Sequence, residues 1–521
     1  MLRIPDLRLP LGHPETELAA RLCKKLDIRP GELLGFTVYR RSLDARKGRE
    51  AAWLYTLDVA VKREKGLLAR GYAPPPDESY ALPEVTAALA HPPVVVGFGP
   101  AGMFAALILA RLGLRPLVLE RGQAVADRAR AVAAFWEQGV LDPESNVQFG
   151  EGGAGAFSDG KLTARSKDRR SRFVLETLAA ASGLPELLVD AKPHIGTDKL
   201  RGAVTAIRQE IEALGGEVRF GARVDGLRVE QGRLTGLCLA DGSRVDTENV
   251  VLALGHSARD TLRHLYEQGV AMEQKPFAMG VRIEHTQEMI DRVQYGKWAD
   301  SLPPADYRLA VTTSQGRGVY TFCMCPGGQV VGAASQPGRL AVNGMSYHAR
   351  DGKNANAALL VQVFPADFGS NHPLAGMLWQ EQLEEAAFVA GGGGYVAPVQ
   401  RLADFLGTEV QECVEPTYRP GTREVDLAAL LPEFMTEALR EGLRQMGKKL
   451  PGFDHGGAVL TALESRSSSP VRLLRDDHGE STAVAGLYPA GEGAGYAGGI
   501  VSAAIDGMRA AEAVVTHRRE L

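Results

Sequence analysis

Apolar runs and helix-like periodic segments alternate along two separate parts of the chain. Residues 94–96 form a short apolar run, residues 103–112 a helical pattern, and residues 116–120 a second apolar run. Short apolar runs indicate buried strands, and the order strand–helix–strand is typical of a parallel sheet. Near the end of the chain, residues 486–489 predict a strand and residues 500–518 a long helix. We therefore predict an α/β fold in which one parallel-sheet domain is interrupted by a long insertion.

The segments between these two parts complete the sheet domain and outline the insertion. The pattern predicts a helix at residues 197–214 and strands at residues 217–220, 223–229 and 249–254, with a hairpin around Asp241-Gly242. Residues 271–480 mix strands, glycine runs and short helices. We assign residues 92–270 and 484–521 to a discontinuous domain, a parallel sheet with a β-meander, and residues 271–483 to an inserted mixed α+β domain.

Residues 1–82 predict a separate small α/β domain. Residues 18–26 have an amphipathic helical pattern, and Pro14-Glu15-Thr16 stands where that helix would start. Residues 34–40 and 51–62 have the pattern of two strands on either side of a basic turn at 44–48. Residues 71–83 contain three consecutive prolines and predict a linker to the next domain.

Composition and charge exclude several classes of protein. The chain has 521 residues and a formal net charge of −4, which does not match the basic surplus of a nucleic-acid-binding protein. The best apolar stretch, residues 101–110, ends at Arg111 and is too short to span a membrane. The N-terminus has no apolar core of signal-peptide length, and five cysteines do not indicate a disulfide framework. We expect a soluble, cytoplasmic protein without a metal site.

A glycine-rich turn connects the first strand of the sheet domain to its helix. Gly97 permits the tight turn, Gly99 lets the backbone approach a diphosphate, and Gly102 lets the helix pack closely on the strand. Glu120 ends the next strand, 18 residues after Gly102, close to the spacing of an acid that binds a ribose hydroxyl. These features predict a Rossmann-type dinucleotide-binding domain. Its predicted contacts here are Gly97, Gly99, Pro100, Ala101, Gly102, Glu120, Arg121 and Gly122.

Three further segments extend this site toward a flavin. The strand at 249–254 ends in small residues that suit a backbone pressed against a dinucleotide, and the preceding strand places Val224 beside an adenine. Residues 487–500 contain a strand, a small-residue loop and a helix start, whose dipole would stabilise a reduced flavin. A loop of small residues at 146–162 fits along the flavin edge. The predicted contacts are Gln148, Gly152, Gly153, Ala154, Gly155, Phe157, Ser158, Asp159, Gly160, Lys161, Leu162, Val224, Ala253, Gly255, Arg259, Gly491, Glu492, Gly498, Gly499 and Ile500. Together these segments predict that the cofactor is FAD.

These motifs resemble the bacterial FAD-dependent dehydrogenases, a family within the wider glutathione-reductase-like class of flavoproteins. The resemblance rests on the glycine turn, Leu119-Glu120-Arg121-Gly122, the loop at 152–162 and the glycine-rich segment at 490–500. It extends to residues 42–47, 320–328, 343–346 and 464–470, and so covers nearly the whole chain. The resemblance implies FAD and a redox role, and it implies no particular substrate.

Motifs that are missing narrow the chemistry. Flavin disulfide reductases carry a Cys-x₄-Cys pair after the first glycine turn, and the chain has no cysteine between Cys23 and Cys238. A second glycine fingerprint for NAD(P) is also missing, since Gly391–Gly394 follow a helical stretch instead of a strand. The hydroxylases of the resembling class dock a nicotinamide donor against the flavin without such a fingerprint, and NAD(P)H therefore stays open as a co-substrate.

Two smaller features each leave two interpretations. Cys323 and Cys325 stand two apart in a predicted strand and would point to one face, either as a redox pair near the flavin or as two buried apolar side chains. A basic run beside the flavin loop either attracts an anion or forms a solvated surface. That run consists of Lys161, Arg165, Lys167, Arg169, Arg170 and Arg172.

The leading functional hypothesis is a FAD-dependent oxidoreductase that transfers hydride between the flavin N5 and an organic small molecule. The insertion would cover the flavin and select the substrate. One alternative is a flavin-dependent RNA-modifying or RNA-binding factor, motivated by Arg40, Arg41, Arg46 and Lys47 in the N-terminal domain. Another is a redox-sensing flavoprotein. Neither a nucleic acid nor a membrane is an expected partner, and the sequence assigns no catalytic acid–base pair and no oligomeric state.

Overall fold

Three antiparallel strands and two helices form the N-terminal unit in a computed structural model, which describes residues 1–46, 49–87, 89–163, 167–409 and 412–516. The elements are β1 (Leu2–Pro10), α1 (Glu15–Leu26), β2 (Leu33–Asp44), β3 (Ala52–Val61) and α2 (Glu64–Ala69). The strands pair in the order β1-β3-β2. The sequence pattern missed β1, because the proline and charged residues within it hide the alternation of its buried leucines. Lys47 and Gly48, in the predicted basic turn, lie outside the described residues.

The next segment contains the strand–helix repeats that the sequence predicted. Its elements are β4 (Val94–Val96), α3 (Pro100–Arg111), β5 (Leu117–Leu119), α4 (Val125–Gln138), α5 (Arg170–Ser182), α6 (Thr197–Ala213), β6 (Glu217–Arg219), β7 (Val224–Glu230), β8 (Arg233–Leu239), β9 (Arg244–Asp246), β10 (Val250–Leu252) and α7 (Arg259–Glu267). Strands β7, β8 and β9 form an antiparallel meander. Helices α4 and α5 were not predicted from the sequence.

The region between α7 and the last strand is a mixture of strands and helices around its own core. Its elements are β11 (Met272–Gln274), β12 (Phe277–Thr286), α8 (Gln287–Tyr295), β13 (Ala310–Thr312), β14 (Gly318–Cys325), β15 (Gln329–Gly332), β16 (Val342–Met345), β17 (Asn354–Val363), α9 (Ala375–Ala390), β18 (Ala397–Arg401), α10 (Leu402–Leu406), β19 (Thr422–Glu424), α11 (Leu427–Leu430), α12 (Glu433–Lys449), β20 (Val459–Glu464) and β21 (Val471–Leu473). Seven strands pair in the order β13-β14-β17-β12-β20-β18-β19.

A five-stranded parallel sheet joins the two distant parts of the chain. The last elements are β22 (Leu487–Pro489) and α13 (Ile500–Thr516), and β22 pairs with β10 at the edge of the sheet β22-β10-β4-β5-β6. Helices α3 and α13 pack very closely, because a Cβ added at Gly507 would overlap the backbone of Ala101. The prediction of a mixed α/β fold with a parallel sheet is therefore confirmed. Within the described residues, no helix combines the length and apolar character needed to cross a membrane.

Candidate functional site

One long cleft runs from the carboxyl ends of the parallel strands to the strands β14, β12 and β20 of the seven-stranded sheet. It contains about 1450 Å³ of space outside the protein atoms, part of it open to solvent. The glycine turn after β4, the end of β5, the loop after β10 and the start of α13 all line it. Ligands of open α/β sheets bind at this edge, because loops and helix starts converge there.

The glycine turn has the local geometry that its sequence predicts. Gly97 has a φ of 95°, a conformation that favours glycine, and it packs against the backbone of Ala253. A Cβ added at Gly102 would overlap the carbonyl oxygen of Gly97, so only glycine lets α3 pack this close to β4. Gly99 is the N-cap of α3, with an ordinary φ of −77°, and it lines the cleft. The turn therefore presents a helix N-terminus to the cleft, where the dipole favours a phosphate.

Glu120 fastens this turn to the two segments beside it. The backbone N–H of Phe98 donates to Oε2 over 2.7 Å, and the N–H groups of Gly122 and Gly150 donate to Oε1 over 2.9 and 2.8 Å. A carboxylate oxygen accepts about two hydrogen bonds, so Oε2 retains capacity for a hydroxyl donor in the cleft. Arg121, the next residue, is held by Glu144 and Asp260 and lies over the ring of Phe149. Hydrogen bonds and ion pairs within the chain therefore hold this end of the cleft in place.

A buried arginine holds the loop that follows α4. The Arg128 side chain is 0% exposed, and its guanidinium donates to the carbonyl oxygens of five residues in the loop: Asn146, Val147, Gly150, Glu151 and Gly153. Burial lowers the pKa of Arg128 to about 9, so the side chain is still charged at neutral pH. Gln148, Phe149 and Gly153 of the same loop line the cleft. Arg128 therefore positions backbone that lines the cleft.

Glu492 and His256 face each other on the wall formed by the loops after β10 and β22. His256 Nδ1 lies 3.6 Å from Glu492 Oε1. Burial, and then the charges of Arg466 and Arg259, lower the pKa of His256 to about 3, so the imidazole is neutral at pH 7. Burial raises the pKa of Glu492 to about 7, while Lys275 acts in the opposite direction. The cleft thus contains a carboxyl group that titrates near neutrality.

This shift predicts a pH dependence of the stability of the apoprotein. The pKa of Glu492 is raised from 4.5 in an unfolded chain to about 7, so its contribution to stability is present below pH 4.5 and is lost as the pH rises through 7. We expect the free energy of unfolding of the wild type, minus that of Glu492→Gln, to fall between pH 5 and pH 8. Urea unfolding at several pH values measures this difference. A difference that does not change with pH would contradict the assignment.

The inserted region supplies the far wall of the cleft. Arg282 on β12 is 0% exposed, and its Nε donates to Glu464 on β20 over 2.7 Å. Its two Nη atoms donate to the backbone of Cys323 and to the side chains of Asn343 and Asn356. Phe322 and Cys323 expose their side chains to the cleft from β14. This wall combines a fixed polar network with an apolar ring.

The two cysteines of β14 do not share one face, which corrects the expectation from their spacing. A bulge follows Phe322, and Cys323 has a φ of 41°, so the alternation of side chains is broken between them. Cys325 is buried, whereas Cys323 lines the cleft. The protein atoms around the sulfur raise the pKa of the Cys323 thiol by desolvation, and Arg282 opposes the shift. The Cys323 side chain is therefore a neutral thiol at pH 7.

Most of the residues predicted as cofactor contacts come together on the cleft. Gln148 and Ser158 contribute to it from the loop after α4, and Val224 from the meander. The predicted residues that line it are Gly97, Gly99, Pro100, Ala101, Glu120, Arg121, Gln148, Gly153, Ala154, Gly155, Ser158, Val224, Ala253, Gly255, Gly491, Glu492, Gly499 and Ile500.

Other predicted contacts are not among the residues that line the cleft. Phe157 and Leu162 are buried in apolar cores, and Asp159 pairs with Arg350. The Lys161 amine donates to the carbonyl oxygen of Met324. Gly102, Gly122, Gly152 and Gly160 are close-packing positions against neighbouring chain segments, and Gly498 has open space around it. Of the basic run, Arg165 lies outside the described residues, and Arg170 and Arg172 pair with acids on helices.

Arg259, also predicted as a cofactor contact, belongs to a buried charge cluster. It is 1% exposed and forms a bidentate pair with Glu384 of α9, over 2.8 and 2.9 Å. Arg466 pairs with the same carboxylate, and it also reaches Ser257 on the cleft wall. The small-residue strand end before Arg259 gave no sign that the partner of its side chain lies on a helix of the insertion.

Sequence reasoning missed several residues of the wall. The missed residues include Ser257, Arg282, Phe322, Asn343, Glu464, Arg466 and Ser467. Most of them fall in or beside motifs that the sequence analysis had noted, at 320–328, 343–346 and 464–470. These motifs were noted for their resemblance to a family, but the sequence did not assign a role to the residues within them. Arg282 had no such signal, because it is one polar residue in a buried strand.

The residues of the cleft fit FAD at each of its chemical parts. The start of α3 suits the diphosphate, and the free capacity of Glu120 suits a ribose hydroxyl. Ala222 and Val224 offer an apolar surface for a base near Glu120. The start of α13 and the polar wall with Arg282 would lie toward the flavin. Gly99 and Gly153 keep side chains out of the space that the cofactor would need.

Family comparison agrees with this fit. Residues 276–467 match the family model described as FAD-dependent protein, C-terminal domain-like, and residues 1–60 match a domain of unknown function (DUF8436). The chain therefore carries a domain of FAD-dependent proteins, and FAD is the cofactor that this match supports. A Clostridium beijerinckii protein described as "Uncharacterized protein" is 47% identical over 530 residues, covering 99% of this chain and 98% of its own length. The chain belongs to the family of that protein.

Solved structures with partial similarity include two enzymes from Bacillus species. The glycerol-3-phosphate dehydrogenase of Bacillus halodurans, complexed with FAD, is 12% identical, with a TM-score of 0.36 over 82% of this chain and 64% of its own. The glycine oxidase of Bacillus cereus is 12% identical, with a TM-score of 0.31 over 81% of this chain and 97% of its own. Similarity at this level does not bear on the activity of the chain.

Proposed function

We propose that the protein is a FAD-dependent oxidoreductase in which hydride passes between the flavin N5 and an organic substrate. The observation that carries this proposal is the single cleft that joins the glycine turn after β4 to the wall built by residues 276–467. A site that only stored a cofactor would not need a second wall of polar and apolar groups beyond it. We propose that this wall contacts a second molecule, the substrate.

Bound FAD would supply the hydride acceptor or donor, and the chain would supply binding, orientation and electrostatics. The ion pair of Arg282 with Glu464 holds Asn343 and the backbone of Cys323 in place, because each is a hydrogen-bond partner of Arg282. The exposed ring of Phe322 offers an apolar surface to a substrate and excludes water from it. The substrate that suits this wall is an organic molecule with both apolar surface and polar atoms.

We further propose NADH or NADPH as the electron donor. Gly391–Gly394 follow α9, a helix, and so lack the preceding strand of a phosphate-binding turn. A nicotinamide would therefore approach the flavin through the same cleft, from the side of the inserted region. Basic side chains on that side include Arg466 and Lys275.

Anaerobic titration of the purified holoprotein tests both parts of the proposal. We expect flavin absorbance bands in the purified protein, and their loss on addition of NADH or NADPH, with dithionite as the control for complete reduction. Reduction by dithionite alone would show that the nicotinamide part is wrong. A protein that shows no flavin bands and takes up no added FAD would overturn the proposed function itself.

A further inference from the structure

His256 has a buried ring nitrogen without a partner on the wall of the cleft. Its side chain is 8% exposed, and Nε2 forms no hydrogen bond with the residues that the structure describes. Buried polar atoms are almost always hydrogen-bonded, because an unpaired one costs about 1–3 kcal/mol. The other ring nitrogen, Nδ1, faces Glu492 over 3.6 Å. The atom that lacks a partner is therefore at the opposite edge of the ring.

Close backbone packing fixes the position of the loop that carries this ring. Gly255, just before His256, packs against Gly493, where an added Cβ would lie 2.6 Å from the Gly255 carbonyl oxygen. Gly491 packs in turn against Ala101 of the glycine turn, where an added Cβ would lie 2.8 Å from the Ala101 Cβ. The loop of His256, the loop of Glu492 and the start of α3 are thus in direct contact. His256 therefore stands next to the place where the diphosphate of FAD would bind.

The charges around His256 determine whether Nε2 donates or accepts a hydrogen bond. The pKa of His256 is lowered to about 3, so the ring is neutral and carries one proton. When Glu492 is ionised, above its pKa of about 7, the carboxylate facing Nδ1 favours the tautomer with the proton on Nδ1, which leaves Nε2 as a hydrogen-bond acceptor. At 3.6 Å Glu492 is too far for a strong hydrogen bond, but the charge of its ionised form still biases the tautomer. An acceptor beside the diphosphate requires a donor from the ligand.

We propose that His256 is a direct contact of bound FAD, accepting a hydrogen bond at Nε2 from a hydroxyl of the ribityl chain. This inference rests on the proposed function, because it requires FAD in the cleft. The ribityl hydroxyls are the donors of FAD that follow the diphosphate toward the flavin. Glu492 acts as the positioning residue that sets the tautomer of His256.

Variants at position 256 separate this role from a structural one. We expect His256→Leu and His256→Asn to weaken FAD binding to the apoprotein about tenfold, as the loss of one buried hydrogen bond implies. His256→Gln should stay within about threefold of the wild type, because the end of its amide reaches the position of Nε2 whereas that of asparagine does not. Titration with FAD, followed by flavin fluorescence, measures the dissociation constants. Equal affinities for the Asn and Gln variants would overturn the proposal.

A second buried histidine provides the control for folding. His285 on β12 is 1% exposed and also has one ring nitrogen without a described partner, but it lies away from the cleft. His285→Leu should lower the stability of the apoprotein and leave its affinity for FAD unchanged. A similar loss of FAD affinity in His285→Leu would show that the effect at position 256 is only structural.

FAD analogues that each lack one ribityl hydroxyl identify the group that is contacted. The difference between wild type and His256→Leu should vanish for one analogue and persist for the others. A tenfold difference that persists for every analogue would overturn the ribityl assignment. Failure of the proposed function gives a different result, because the wild type would then bind neither FAD nor any analogue.

Discussion

Gly99→Ala is expected to weaken FAD binding by at least about tenfold while leaving the apoprotein as stable as the wild type. The φ of Gly99 is −77°, which alanine adopts freely, and an added Cβ meets nothing closer than Gly153 Cα at 3.7 Å. The apoprotein therefore accommodates the methyl group. Gly99 and Gly153 both line the cleft, and the methyl group would occupy the space through which backbone approaches the diphosphate. Tenfold corresponds to about 1.4 kcal/mol of binding free energy.

The neighbouring Gly102 should respond in the opposite way. Gly102→Ala places a methyl group on the carbonyl oxygen of Gly97 and close to Val95, so α3 must move away from β4. We expect a loss of about 3 kcal/mol in the free energy of unfolding. Gly202→Ala, on α6 with open space around it, is the control and should be neutral or stabilise by up to about 1 kcal/mol. Urea unfolding and FAD titration of all three variants give both quantities. If Gly99→Ala and Gly102→Ala had equal effects on stability and on FAD binding, the separate roles of the two glycines would be contradicted.

Arg128→Met is expected to lose about 4 kcal/mol of stability and most of the affinity for FAD. The five loop carbonyl oxygens that Arg128 contacts would lose a charged donor inside the protein, and methionine offers no replacement. The loop also closes over the side chain, since a Cβ at Gly150 would lie 2.9 Å from Arg128 Nε. Once released, the loop no longer holds Gln148, Phe149 and Gly153 in the wall of the cleft.

The same helix contains a control for this experiment. Arg130 on α4 has a side chain that is 77% exposed and pairs with Asp127 at the surface. Arg130→Met should change stability by no more than about 0.5 kcal/mol, because exposed ion pairs contribute little. Arg128→Lys should also be strongly destabilised, since an ammonium group has three donors in place of the guanidinium's five. If Arg128→Met kept its stability and its FAD affinity, the positioning role would be excluded.

The glycine turn and its acid were predictable from the sequence because their constraints are local. The tight turn at Gly97 and the close packing at Gly102 depend on residues within one strand–turn–helix unit. Glu120 follows at a spacing that the same unit determines. The loop at 146–162 was only half predicted. Its small residues indicated contact with a ligand, but the pattern did not show that Phe157, Asp159 and Lys161 turn away from the cleft.

The sequence by itself determined the fold class, the glycine turn and the indication of FAD, because each depends on a short segment whose sterics allow few residue types. Only the tertiary structure decided which charged groups face the cleft. Arg259 and Arg466 meet at Glu384 across 125 and 82 residues, and Arg282 meets Glu464 across 182. A buried guanidinium must have a partner, but any of the many carboxylates in the chain satisfies that need until packing selects one. Long-range pairing is for this reason a property of the folded molecule.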